Sequence, residues 1–184
     1  MLLQVHFDDV RSDREARQEN LRYVRDRSSE QLVDRPFQGI DLRGENLNGL
    51  KLEKADLSAA NLIEVSANQV NLKSAGLSTA KLRNSLLVKT DFSYAVLVGA
   101  DMSHAKLIAA NLQRAHLQLV DFEGAELVLA NVRGTDLSRS QNLDKAVLTN
   151  GSDTICYDEL TKWPKELTPP IVGSTCDDNW VPNT

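Results

Sequence analysis

Aromatic residues make up only 5% of this 184-residue chain. A core without rings must be assembled from aliphatic side chains, and leucine and alanine fill the sequence. Two cysteines are too few for a disulfide scaffold or a four-thiolate zinc site. The uninterrupted apolar runs are only a few residues long, so no transmembrane helix is expected. The start, Met1 to Asp9, lacks the basic and long apolar regions of a secretory signal. There is no excess of positive charge either. The net charge is −5, and residues 35–139 hold twelve basic against eleven acidic side chains. That balance argues against a nucleic-acid footprint and equally against an acidic surface imitating DNA. With 41% apolar and 26% charged residues, a disordered polyampholyte is excluded.

What is present is a period of five. Every fifth residue from Phe37 to Leu137 is large and apolar at twenty of twenty-one positions. The exception is Ala67, which stands between Leu47 and Leu87 if each coil takes twenty residues. Compensation by neighbouring side chains or a local dimple would each account for it. Two residues before each centre runs a second column of small residues, mostly alanine, from Ala55 to Thr135. In an α-helix five residues advance 500°, so these leucines would wind round the axis and form no stripe. In a strand five is odd, and successive leucines would fall on opposite faces. The chain must therefore turn once per repeat, with the residues at i−2 and i pointing inward and the corners facing water.

Segments such as Ala55–Ala59, Ala60–Glu64 and Ala110–Arg114 carry the pattern Ala, Asp or Asn, Leu, then two variable residues. This resembles the repeat of the pentapeptide repeat family over residues 35–139. The resemblance implies an all-β solenoid: a right-handed quadrilateral β-helix with four pentapeptides per coil and about five coils. Coil spacing should then match strand spacing, about 4.8 Å.

Three segments are expected. Residues 1–34 form an N-terminal cap, with a helix over 12–30 whose start has the form of a capping box at Ser12 and Glu15. Leu3, Val5 and Phe7 alternate as a short edge strand would. The helix is read as a lid over the first coil; a stub continuing upstream into a membrane anchor or coiled coil is the alternative. Residues 35–139 form the coil. Residues 140–184 form a C-terminal cap and tail. After Leu137 the apolar pair Leu143 and Leu148 is offset by one, so the coil either ends near 139 or includes a bulge. Asp158, Thr161, Trp163 and Pro164 resemble a closing motif of bacterial pentapeptide chains, which would place Trp163 over the last coil. Residues 168–184, with Pro169, Pro170 and Pro182, should be extended. A Cys156–Cys176 bridge would staple the tail and contribute about 3 kcal/mol; two reduced thiols are the alternative.

No catalytic constellation is legible. Of the three histidines, His6, His104 and His116, His104 falls at a corner of the coil and His116 on a different side, so they should not converge on a metal. No serine pairs with a histidine at a recognisable spacing, and no phosphate loop or zinc-protease motif occurs. Asp41, Asp56, Asp91, Asp101, Asp121 and Asp136 follow the repeat and read as turn residues. No enzyme, cofactor or metal site is expected. The candidate interface is a row at i+1 on one side, Val88, Ile108 and Val128, widened by Leu86 and Leu129. An apolar stripe expected to face solvent suits docking, to another protein or to a second copy. The preference of β-branched residues for extended backbone accounts for the same row. The expected function is therefore a protein-binding or scaffold module. The resemblance also implies an alternative, a DNA-mimicking protein that protects a topoisomerase from quinolones or toxins. Direct nucleic-acid binding is not expected. The compartment is cytoplasmic by default, unless an upstream anchor exists.

Overall fold

In the computed structural model residues 2–28, 36–151 and 153–171 are described, with the side chains of α1 given from Arg11 onward. From Pro36 the chain winds as a four-sided coil with twenty residues per turn. Parallel bridges link residues before a centre to their equivalents twenty residues on, from Pro36↔Asp56 to Asp121↔Gln141, with the onward bridge from His116 the exception. The centres of the first wall are Phe37, Leu57, Leu77, Leu97, Leu117 and Leu137. Those of the second are Leu42, Leu62, Leu82, Met102 and Phe122. The third has Leu47, Ala67, Leu87, Leu107 and Leu127, and the fourth Leu52, Leu72, Phe92, Leu112 and Val132. All are buried.

Hydrogen bonding explains the five-residue period. The N–H three residues after each centre donates to the centre's carbonyl, as Ala60 does to Leu57 at 3.0 Å. This closes a β-turn whose third residue has positive φ, 55–61° at the non-glycine corners from Lys54 to Leu129. A left-handed conformation costs a non-glycine residue about 1–2 kcal/mol. The same corner N–H donates to the next coil, as Ala59 does to Ser78 at 2.8 Å, which offsets that cost. Along each wall the centre donates to the coil below (Leu57 N–H to Gly76 O, 2.7 Å) and the residue below donates back (Gly76 N–H to Ala55 O, 2.9 Å).

Asp and Asn recur before the centres because their side chains cap these turns. Asp56 Oδ1 accepts the Ser58 N–H at 3.0 Å, and Asp41, Asp91, Asp101, Asp121 and Asp136 do the same two residues on. Inward polar side chains are satisfied by backbone. The Ser85 and Thr90 hydroxyls donate to Leu62 O and Ala67 O at 2.8 and 2.6 Å. Ala67 is 2% exposed, so no dimple forms there. Val65 and Val70, larger than the alanines usual in the small-residue column, lie in the same buried core as Ala67.

The N-terminal segment departs from expectation. It is one helix, α1 (Leu2–Ser28), with no strand over Leu3–Phe7, and Ser12 lies inside it rather than at its start. No glycine or proline occurs before Pro36 to stop a helix there. Moreover, Leu3, Phe7 and Val10 are spaced four and three apart, a helical period that three alternating residues do not distinguish from a strand. Leu21 and Val24 are buried in the same core as Phe37. The Tyr23 ring meets Phe37 edge-on, 5.8 Å between centroids. Gln18 donates to the Glu45 carboxylate at 3.0 Å, Asn20 to Asp41 O at 2.9 Å and Arg25 to Asn46 O at 3.2 Å.

At the other end the repeat fades from the sequence near residue 139, but the ladder continues, so the slip after Leu137 is a bulge. Glu126 pairs with Val147, Asn131 with Cys156 and Asp136 with Lys162, separations that grow beyond twenty. The extra residues go into a 3-10 turn (Leu143–Lys145) and an antiparallel hairpin of β1 (Thr149–Asn150) and β2 (Asp153–Thr154).

The Asp158 and Thr161 side chains then lock the chain back. Asp158 Oδ1 accepts from Gly134 N–H at 2.9 Å and from the Thr161 hydroxyl at 2.8 Å. Burial pushes this carboxyl up, but those bonds outweigh it and hold it below the ordinary 3.8. Trp163 is partly buried against the core and packs edge-on to Tyr157, 5.1 Å between centroids. Cys156 is wholly buried, and its expected partner Cys176 lies outside the described residues. So do residues 172–184 of the expected extended tail.

Candidate docking walls

The third wall carries the expected apolar row only in part. Leu86 is 41% exposed, and Val88, Ile108 and Leu129 are half-buried. Val128 is 8% exposed, which corrects the expectation that it faces solvent. Leu127 N–H donates to Val147 O at 2.8 Å and Leu129 N–H to Thr154 O at 3.2 Å, so the segment bearing the β1–β2 hairpin runs beneath this stretch and covers it. The apolar surface of this wall is therefore Leu86, Val88 and Ile108, with half-buried Leu129 at the corner of the coil below.

This wall is also held differently from its neighbours. Leu86 cannot cap its own turn, so Asn68 of the coil above accepts the Val88 N–H at 2.9 Å. Directly below Leu86 lies Lys106, its ammonium 3.8 Å from Glu126. The fourth wall is polar: Asn111 Nδ2 donates to Asp91 Oδ1 at 3.0 Å and Asn131 Nδ2 to Asn111 Oδ1 at 3.2 Å, an amide ladder between coils.

Sequence reasoning missed a second exposed group. Tyr94, Val96 and Leu119 are 45%, 37% and 43% exposed on and beside the first wall. They stand at corner and bridge positions of other walls, and the signal for them is the same: large apolar residues in outward columns of the repeat, at Tyr94, Val96 and Leu119. Arg114 reaches across that corner, its Nη1 3.3 Å from the Tyr94 hydroxyl.

Chemistry-bearing side chains do not converge. No group of three or more histidine, cysteine or carboxylate side chains among the described residues is arranged to hold a metal. His104 lies at a corner against Gly124, while His116 is on the first wall below Val96. At Asp41 burial raises the carboxyl's pKa, and the Arg43 guanidinium, 2.8 Å away, more than reverses it. At Asp136 the Ser138 hydroxyl is the main cause of a lowered value. These are turn-holding groups rather than acid–base pairs.

The family model described as pentapeptide repeats matches residues 37–73, 75–114 and 100–139 in eight copies. No curated protein matches the chain. Among solved structures, a pentapeptide repeat protein of the Arabidopsis thaliana thylakoid lumen is 28% identical over 59% of this chain and 68% of that one, with a TM-score of 0.42. The pentapeptide repeat protein Rfr23 of the cyanobacterium Cyanothece 51142 is 27% identical over 70% and 88%, with a TM-score of 0.36. The plasmid-mediated fluoroquinolone resistance protein QnrB1 is 17% identical over 71% and 78%, with a TM-score of 0.33. Superpositions this loose carry no argument about function. The assignment rests on the repeat itself, which the family model matches over more than half of the sequence: the chain belongs to the pentapeptide repeat family.

Proposed function

We propose that the chain is a non-enzymatic β-helical module that docks another protein on its third wall. The observation that carries this is Leu86, 41% exposed beside half-buried Val88 and Ile108. The wall above them, at Asn46, Asn48, Ser66 and Asn68, is polar. In this reading α1 is the lid of the first coil and the Tyr157–Pro164 segment the lid of the last, on a rod of about five regular coils. A Cys156–Cys176 bridge would fix the tail; among the described residues no cysteine is free. No described helix is long and apolar enough to cross a membrane.

The test is capture by the folded chain, compared with L86S/V88S/I108S. Val128 is left out because it is covered. Loss of captured protein with an unchanged circular-dichroism spectrum is expected; equal capture by both proteins would overturn the proposal. Topoisomerase protection by DNA mimicry is disfavoured by the near-neutral coil, twelve basic against eleven acidic residues. A gyrase supercoiling assay with a quinolone should show no protection.

A further inference from the structure

Charge along the rod is uneven at one level. Between Glu64 and Asp91 the sequence has no acidic residue, while Lys73, Lys81, Arg83 and Lys89 are all basic. Twenty residues make a coil, so the coil of residues 71–90 carries four positive charges and no negative one. It is the same coil that presents Leu86 and Val88.

The chain places these groups around one strip. Lys81 and Arg83 are exposed on the second wall, one corner before Leu86. They make no ion pair or side-chain hydrogen bond among the described residues. Lys89 stands at the next corner, beside Val88, and Lys106 lies under Leu86. Ile108 sits one coil below Val88, about 4.8 Å away. The result is a narrow aliphatic strip with Lys81 and Arg83 exposed on one flank, Lys89 at the other, and the Lys106–Glu126 pair below.

Resting on the docking reading above, we propose that the occupant of this strip is an acidic amphipathic segment of a partner protein: a row of aliphatic side chains bordered by Asp or Glu. A second copy does not fit. A two-fold contact would set the same basic coil against itself, and three partly exposed side chains fall far short of the roughly 800 Å² per partner of a standard interface. The aliphatic strip, with no aromatic platform, likewise favours a peptide over single-stranded nucleic acid.

A random peptide display library panned against the full chain tests this. Selected peptides are then synthesised and measured by fluorescence anisotropy at low and high salt. The targets are the native protein, K81E/R83E, the milder K81Q/R83Q, and L86S/V88S, each verified as folded by circular dichroism. Expected are peptides rich in Asp and Glu with interspersed Leu or Ile. Their binding should weaken as salt rises, by about tenfold in K81E/R83E and by less in K81Q/R83Q, and be lost in L86S/V88S. Peptides lost in L86S/V88S but bound equally well by K81E/R83E would overturn the acidic-partner inference and leave the docking wall standing. Peptides bound equally by L86S/V88S would sink both. A single-stranded oligonucleotide bound more tightly than any peptide, and weakened only by the charge variants, would also overturn the inference.

Discussion

The side chains that set each repeat have separate tasks, and substitutions should sort by task. Leu97 and Leu117 are fully buried centres, so alanine at either should cost about 2–5 kcal/mol. Lys73 and Gln113 point outward, and alanine there should stay within about 0.5 kcal/mol. Denaturant melts of the four variants check the register; equal losses in both pairs would mean that it is misplaced. Asp158 is outside the repeat yet holds Gly134, Leu160 and Thr161. Its replacement by alanine leaves a partly buried N–H without its acceptor, and about 1–3 kcal/mol should be lost in the same melts. The centres and the Asp and Asn turn column were legible in the sequence because each is decided within five residues. The bonds made by Asp158 were not, since its partner Gly134 lies a full coil away.

Elements follow the same division between local and distant causes. The four-sided coil was legible because a turn every five residues leaves few other ways to bury one leucine per repeat. The start of α1 was not, because Leu3, Val5 and Phe7 fit two periods equally. The burial of Val128 was not either: the hairpin covering it arrives more than twenty residues later. Of the expected apolar row, Leu86 is exposed, Val88, Ile108 and Leu129 are half-buried, and Val128 is covered. If Cys156 and Cys176 are bridged, the oxidised chain should have an intact mass about 2 Da below the reduced one and melt higher. A nineteen-residue loop gives about 3 kcal/mol. Two titratable thiols in the unreduced, unfolded protein would contradict the bridge.

At the scale of the molecule, the turn-holding carboxylates link stability to pH. Asp41, Asp56, Asp136 and Asp158 all have pKa values below the ordinary 3.8. Above that value they are ionised in the folded and unfolded chain alike, and their contribution is complete. As pH falls through 3.8 and into the lower folded-state values, the unfolded chain takes up protons first and the contribution drains away. Melting temperature should be flat from about pH 6 to pH 5 and fall steadily below about pH 4. A melting temperature that holds or rises on acidification would contradict this.

The bulged last turn has a consequence for assembly. A helix of stacked parallel strands is in principle an unlimited template, since every rung offers its donors and acceptors at the same places as the rung before. Here the rung spacing drifts from twenty residues to twenty-six between Gln141 and Lys162. The final rung therefore no longer copies the pattern that a second molecule's first rung would have to match. That mismatch makes the last described rung a poor template for end-to-end stacking of a second copy's first rung.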